Sequence, residues 1–151
     1  MKADAVGNNH LVILKKRYLD AILDGRKRVE SRFSKVRGAA FGRVFVGDRL
    51  FLKVVSGPVC GTARVAAVEN FEGLTPQRMV EIRQKYNSHI LGPDEYWRSK
   101  RDSKFGFLAW LDEIRRIEPV RISKKDWRAW AVLTENSDFG LLRADTIEEL
   151  G

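Results

Sequence analysis

The order of the apolar segments is the sequence feature that most limits the fold. Segments with the period of two that is typical of β-strands are interspersed with helical ones, in the order strand, helix, three strands, helix, two strands. Consecutive strands usually pair as hairpins, and the regular strand–helix alternation of a doubly wound parallel sheet is absent. The sequence therefore excludes a Rossmann fold, and the element order is compatible with a closed or nearly closed mixed β-barrel of five or six strands with two flanking helices.

The two helices are predicted from their spacing and their end signals. Residues 18–23 place apolar side chains at i, i+3 and i+4, and Gly25 ends this helix because glycine takes a positive φ without a Cβ clash. Thr75 and Pro76 have the residue types of an N-cap and a first helical position, and the second helix runs from there. Asp94 is predicted to cap a further short helical turn.

Several strands are marked by alternation and by turn residues. Leu50–Val55 and Val59–Val68 form a predicted hairpin, and residues 130–134 form the last strand. The longest signal, Phe105–Ile117, is apolar on both faces, which indicates a central strand. Pro119 is expected to end it, because proline cannot donate to a strand ladder.

Length and composition indicate one domain that is held together by its core. A chain of 151 residues buries about 68–70% of its unfolded surface, so neither a disulfide nor a metal is required. We expect an N-terminal extension at 1–10, the domain at 11–134, and a docked or loose extension at 135–151. The sequence contains no apolar segment that resembles a signal peptide or a membrane span, so a cytoplasmic protein without a membrane partner is expected.

Cysteine and histidine usage argues against a metal site. Cys60 is the single cysteine and lies in an apolar strand pattern, where a buried small side chain is expected. His10 and His89 are far apart in polar contexts, and both are expected at the surface. The sequence therefore predicts no metal site and no cofactor.

Residues 24–34 concentrate charge at a turn that leads into a strand. From residue 28 the pattern has period two, so Glu30 and Arg32 share a face, with side chains about 7 Å apart. Lys27 has the opposite parity but lies in the turn, from which its side chain can reach the same side. The pattern predicts either a binding site or a solvated strand face with mixed charges.

The spacing Gly25-x-Lys27-x-x-Glu30-x-Arg32 resembles the motif of the ASCH family, small domains of the PUA-like superfamily. The resemblance extends from about residue 11 to 133 and includes Gly47-Asp48, Tyr96-Trp97 and Ile117-Glu118-Pro119. It implies an α+β, mainly β, fold: a small PUA-like mixed barrel. It also implies a cleft that binds RNA or a modified base.

The candidate ligand-binding residues combine this motif with basic and aromatic positions elsewhere. They are Lys27, Glu30, Arg32, Ser34, Lys53, Tyr96, Trp97 and Lys100. Tyr96 and Trp97 are embedded in a basic segment, which is the composition of a single-strand stacking surface. Trp97 has the alternative role of filling the end of the barrel, and Lys53 the alternative of pointing outward.

The charge balance favours a polyanionic partner. Twenty-eight Lys and Arg against twenty Asp and Glu give a net charge of +8, and basic surfaces bind nucleic acid by displacing counterions from phosphates. We therefore expect RNA or a nucleotide as the ligand, in RNA metabolism or translation-related regulation. Nothing in the sequence indicates a protein partner.

An enzyme that acts on RNA or modified nucleosides is the alternative. The family resemblance includes ribonucleases and amidohydrolases that deacetylate acetylated cytidine with a lysine, a threonine and a glutamate. Lys27 and Glu30 are the catalytic candidates, as a general base and a charge stabiliser. Lys27 matches the amidohydrolase lysine, but Glu30 occupies the position of the threonine and cannot serve as a hydroxyl nucleophile.

Overall fold

A computed structural model describes residues 8–122 and 129–133. Within these ranges the elements are β1 (Asn9–Leu14), α1 (Lys16–Leu23), β2 (Val29–Ser34), β3 (Arg49–Val54), β4 (Val59–Glu72), α2 (Pro76–Ile90), α3 (Asp94–Ser99), β5 (Phe105–Val120) and β6 (Trp130–Leu133). The six strands form one sheet in the order β2-β5-β4-β3-β1-β6. The predicted order of strands and helices is confirmed, with α3 as a third, short helix.

The sheet is mixed and curls into a half-barrel. β1 and β3 pair in parallel, while β1–β6, β2–β5, β3–β4 and β4–β5 are antiparallel. Register shifts interrupt the long β4–β5 ladder at three points, and such bulges increase the twist that bends a sheet toward closure. The predicted small mixed barrel is confirmed in this open form, with β2 and β6 at the two edges.

Apolar side chains pack on both faces of the sheet. On one face α1 covers a cluster that includes Ile22, Leu52 and Ala109, and on the other α2 and α3 cover a cluster that includes Ile82 and Leu108. Adjacent β5 residues thus contribute to opposite clusters. The prediction that β5 is buried on both faces and central is confirmed.

Some details differ from the sequence predictions. β5 continues past Pro119 to Val120, because the ladder skips from the Gly61–Arg116 pair to the Val59–Val120 pair and leaves Pro119 unpaired in an irregular stretch. Asp94 is not an N-cap: Pro93 occupies that position, and Asp94 is the first residue of α3, where it pairs with Arg83.

The expected surface position of His10 is wrong, whereas His89 is exposed as predicted. His10 is fully buried because Asp48 and Trp130 satisfy both ring nitrogens. Cys60 is half-buried against the core. No described helix has the length and apolar character that crossing a membrane requires. The C-terminal extension 135–151 and most of the N-terminal one lie outside the described residues.

Candidate functional site

A cavity of about 760 Å³ opens at the edge of the half-barrel formed by β2. Its walls come from the β1–α1 junction, β2, residues 38–41, α3, the start of β5, and the start of β6. The residues that matter most for its chemistry are Lys15, Arg17, Tyr18, Glu30, Ser31, Arg32, Ser34, Phe41, Tyr96, Lys100, Phe105 and Trp130. Charged and aromatic side chains from distant parts of the sequence therefore meet around one space.

The charged motif forms a largely buried triad, with Glu30 and Arg32 on the cavity wall and Lys27 behind Glu30. Glu30 is 6% exposed and Lys27 3% exposed. One carboxylate oxygen of Glu30 lies 3.3 Å from Lys27 Nζ and the other lies 2.6 Å from Arg32 Nη2. The predicted shared face of Glu30 and Arg32 is confirmed, and the turn does bring Lys27 to the same carboxylate. The alternative of a solvated strand face is wrong, because Glu30 and Lys27 are both buried.

The local backbone explains how Lys27 reaches Glu30. Gly25 adopts a φ of 87°, and the amides of Arg26 and Lys27 both donate to the carbonyl of Ala21. This wraps the chain around the end of α1 and delivers Lys27 beside the first residues of β2. The glycine predicted as a helix terminator is therefore also what positions the lysine.

Burial and charge act in opposite directions on the triad. Burial alone would raise the pKa of Glu30, but the neighbouring Arg32 and Lys27 outweigh it and lower that pKa below its ordinary value. Burial lowers the pKa of Lys27, and the Glu30 carboxylate offsets this only in part. Glu30 is therefore held as a carboxylate with little tendency to take up a proton.

Lys27 uses all of its donor capacity inside the protein. Besides its contact with Glu30, its Nζ donates to Val29 O at 2.9 Å and to Ile90 O at 2.5 Å. An ammonium group has three N–H donors, so none remains for a ligand. Lys27 lines a neighbouring space of about 50 Å³ rather than the large cavity. It joins β2 to the end of α2 and supports Glu30 from behind.

Arg32 is the member of the triad that faces the cavity most openly. Its side chain is 24% exposed, donates from Nη2 to Ile13 O at 3.4 Å, and places Cζ 5.3 Å from the ring centroid of Trp130. In the described part of the chain, Nε of Arg32 is buried with no acceptor. The guanidinium thus bridges β2 to β1 and β6 while one of its donors remains unused.

α3 closes the opposite wall with Tyr96 and Lys100. The Tyr96 hydroxyl lies 2.7 Å from Ser31 Oγ, and burial raises the pKa of Tyr96 so that it stays a neutral phenol. Lys100 is half-buried with its amine 5.9 Å from the Tyr96 ring centroid, and burial followed by repulsion from Arg32 lowers the pKa of Lys100. Two cations therefore face one space and favour an anion between them.

The structure brings most of the predicted site residues together. Glu30, Arg32, Ser34, Tyr96 and Lys100 line the large cavity and Lys27 the adjoining one.

Lys53 and Trp97 are not in either lining set. Lys53 shares the face of β3 that carries Phe51, which is opposite to the face that carries Leu50 and Leu52. Its amine donates to Val54 O. Trp97 is 5% exposed, packs on Phe33 and donates to Asn87, so it is a buried residue of the cluster under α2 and α3 and does not offer a stacking surface.

Sequence reasoning missed Trp130, Phe41 and the cations at the start of α1 as site residues. Trp130 carries a strand signal only, and nothing in its neighbourhood in sequence points to residue 32. The pairing of β6 beside β1 is what brings it to the cavity. A tertiary contact of this kind has no local sequence signature.

Comparison with known proteins identifies the fold. No protein-family model and no curated protein sequence matches the chain. Among solved structures, the ASCH protein of Zymomonas mobilis aligns with a TM-score of 0.65 at 14% identity over 85% of this chain and 89% of its own. A serine-to-alanine mutant of that protein aligns with a TM-score of 0.67 at 15% identity over 89% and 94%.

A second type of neighbour is the N-terminal domain of McrB from Staphylothermus marinus. It aligns with a TM-score of 0.53 at 13% identity over 100% of this chain and 99% of its own. Identities this low establish similarity of fold only. The chain has an ASCH-like fold, as the resemblance of its motif implied.

Proposed function

We propose that this protein binds single-stranded RNA and holds one nucleotide in the 760 Å³ cavity, with Glu30 as the contact to the base. The observation that carries the proposal is a buried carboxylate, flanked by cations, in the wall of a cavity that is also lined by aromatic rings. Ligand pockets typically measure about 300–1,000 Å³, so the volume suits a nucleotide.

Glu30 has the acceptor capacity that a base edge requires. A carboxylate offers about four lone-pair sites, and Lys27 and Arg32 engage one on each oxygen. In this proposal an exocyclic amine occupies one of the remaining sites, which is how Asp and Glu recognise bases such as cytosine. This supports recognition of bases that carry such an amine over uracil.

The other cavity residues suit the remaining parts of a nucleotide. Tyr96 and Trp130 provide ring surfaces, and stacking on an aromatic side chain contributes about 1–3 kcal/mol per base. Lys15, Arg17 and Lys100 surround the same space and suit phosphate oxygens. Base, sugar and phosphate contacts are thus all supplied by one cavity.

The chemistry of the triad favours binding over turnover. A general base must accept a proton, and the lowered pKa of Glu30 makes this carboxylate a weak base. Lys27 is held by three acceptors and has no free position for a substrate proton. Both catalytic candidates of the ribonuclease and amidohydrolase alternatives are therefore poorly placed for catalysis.

Two substitutions test the proposal against four homopolymer RNA oligonucleotides. We expect Glu30→Gln to change the preference among the four by about 1–3 kcal/mol, because the amide replaces an acceptor with a donor. We expect Arg32→Ala to weaken all four about equally, as loss of a phosphate contact does. Binding is measured by titration, with thermal melts to confirm that each variant is folded.

The exposed Arg78–Glu81 pair on α2 supplies matched controls. Arg78→Ala removes the same charge as Arg32→Ala, and Glu81→Gln makes the same change as Glu30→Gln, both away from the cavity. If the cavity variants and their controls bind identically, the site lies elsewhere. Incubation with acetylated cytidine and with single-stranded RNA, with and without a chelator, tests the enzymatic alternative, and accumulation of product would establish it.

A further inference from the structure

A buried histidine lies behind the cavity, outside its wall. His10 on β1 is fully buried and is not in the lining set of the large cavity. Its Nε2 lies 2.8 Å from Asp48 Oδ2, and its Nδ1 lies 3.1 Å from Trp130 Nε1. His10 is therefore the link between an interior carboxylate and an aromatic ring of the cavity.

The donor chemistry of the partners determines the tautomer of His10. The indole N–H of Trp130 can only donate, so Nδ1 of His10 must accept. The ring proton of neutral His10 therefore resides on Nε2 and is donated to Asp48. Burial lowers the pKa of His10, Asp48 raises it in part, and the charge of Arg43 lowers it further. The net lowering of the pKa favours this neutral form.

Asp48 is itself held in place from several sides. Its carboxylate accepts from the amides of Asn8 at 3.0 Å and Phe45 at 2.9 Å in addition to His10. The carboxylate is thus a fixed point in the turn before β3, and the orientation of His10 follows from it. An acceptor in a fixed position can in turn set the rotation of the indole that donates to it.

The orientation of Trp130 matters because its ring forms part of the cavity wall. Its partners there are Arg32, with Cζ 5.3 Å from the ring centroid, and Phe107, edge-on with centroids 5.1 Å apart. Trp130 also lies on the short edge strand β6, which pairs with β1 alone among the described strands. The indole is 6% exposed and packs in the cluster that α1 covers, and the hydrogen bond from its N–H to His10 adds a directional contact that fixes its rotation.

We propose that His10 is a positioning residue of the cavity: through its hydrogen bond to Trp130 it fixes the indole against the Arg32 guanidinium, and so sets the affinity for a stacked base. The proposal rests on the proposed nucleotide-binding function for its effect on affinity. The geometric part, that His10 holds Trp130, stands independently of any ligand.

Two amide substitutions separate the two hydrogen bonds of His10. The amide of Asn reaches about as far as Nδ1, so His10→Asn retains an acceptor for Trp130 and loses the donor to Asp48. The amide of Gln reaches about as far as Nε2, so His10→Gln retains the donor to Asp48 and loses the acceptor for Trp130. The pair therefore tests the link to Trp130 separately from the contribution of His10 to stability.

The first readout requires no ligand. Hydrogen exchange of the Trp130 indole N–H is measured by NMR, with the signal assigned from Trp130→Phe. We expect exchange to accelerate by about tenfold or more in His10→Gln and to remain near the wild-type rate in His10→Asn. Unchanged exchange in His10→Gln would overturn the proposal, because Trp130 would then be held without His10.

The second readout is affinity for the preferred homopolymer RNA. We expect His10→Gln and Trp130→Phe each to weaken binding about 3- to 10-fold, and His10→Asn to bind like the wild type although it melts earlier. The double variant His10→Gln/Trp130→Phe should bind no worse than Trp130→Phe alone, because both changes remove one interaction. Equal losses in His10→Gln and His10→Asn, or additive losses in the double variant, would show a structural role only.

Failure of the proposed function is distinguishable from failure of this inference. Wild-type protein that binds none of the homopolymers refutes the nucleotide-binding function, and the indole exchange rates then decide alone whether His10 positions Trp130. Wild-type protein that binds RNA while His10→Gln binds equally well refutes the positioning role and leaves the proposed function intact.

Discussion

Glu30 shows how a buried carboxylate is kept charged. Transferring an ion from water to the interior costs several kcal/mol, and this cost is recovered only when partners surround it closely. Lys27 and Arg32 contact opposite oxygens of Glu30, and Lys27 is in turn held by two backbone carbonyls. Removing Glu30 leaves two cations without a counter-charge, and removing either cation leaves Glu30 with one charged partner, so the three residues act as a unit.

The Glu30 charge predicts a specific pH dependence of stability. The folded pKa of Glu30 lies below its ordinary value of 4.5, so the stabilisation is complete above about pH 4.5 and is lost as the pH falls through the folded pKa. Glu30→Gln lacks this titration and leaves two cations close together, at a cost of about 3–5 kcal/mol at neutral pH. Urea unfolding of both proteins from pH 7 downward should show the difference between them shrinking below pH 4.5.

Glu81→Gln serves as the reference for this measurement. Glu81 is about half exposed on α2, and such substitutions change the free energy of unfolding by no more than about 0.5 kcal/mol. If the difference in the free energy of unfolding between wild type and Glu30→Gln stays constant as the pH falls, the charge of Glu30 does not contribute to folding.

At the scale of elements, β2 is an edge strand, and side chains cover two of its outer carbonyls. Val29 O accepts from Lys27 Nζ, and Ser31 O accepts from the Tyr96 hydroxyl at 3.4 Å. Unpaired edges invite association with other strands, and covering them prevents it. The same two side chains help to build the cavity system, so edge protection and the candidate site share residues.

The inner side of β2 packs so closely on β5 that Gly106 has no room for a side chain. A Cβ on Gly106 would lie 2.9 Å from Arg32 O and would overlap the Phe33 ring. We therefore expect Gly106→Ala to lower the free energy of unfolding by about 1–3 kcal/mol, through displacement of β2. Chemical denaturation measures the loss directly.

Gly38 is the matched control, because it lines the same cavity and a Cβ there meets nothing within 4 Å. Gly38→Ala should change stability by no more than about 0.5 kcal/mol. If the two variants are equally stable, the β2–β5 contact tolerates expansion and does not constrain Arg32.

At the scale of the whole molecule, the net charge of +8 predicts salt-sensitive binding. Each phosphate contacted on a single strand contributes about −0.7 to the slope of log K against log salt. Contacts from Lys15, Arg17, Arg32 and Lys100 would give a slope of roughly −3 for oligonucleotides.

Titrations between low and high salt test this estimate. A neutral nucleoside provides the comparison, because it occupies the cavity without phosphate contacts and its affinity should be nearly independent of salt. A slope near zero for the oligonucleotide would contradict the proposed phosphate contacts.

The order of strands and helices was predictable because its signals are local. Hydrophobic periodicity, the Thr75-Pro76 helix start and the turn at Gly25 depend on neighbouring residues, and the structure confirms each of them. The shared face of Glu30 and Arg32 was predictable for the same reason, since strand parity alone determines it. Lys53 could face the cleft or point outward, and Trp97 could stack on a base or fill the end of the barrel. The local sequence pattern did not select between these alternatives.

The sequence by itself determined the element order and the charged motif at the start of β2, and together with the family resemblance it predicted a closed or nearly closed mixed barrel. The tertiary structure decided the burial of Glu30, the complete use of the Lys27 donors, the position of His10, and the contact between Trp130 and Arg32. The reason is physical: periodicity and turn chemistry act over a few residues, whereas burial and partner choice depend on which strands become neighbours. His10 and Trp130 are 120 residues apart in the chain, and only the pairing of β1 with β6 brings them into contact.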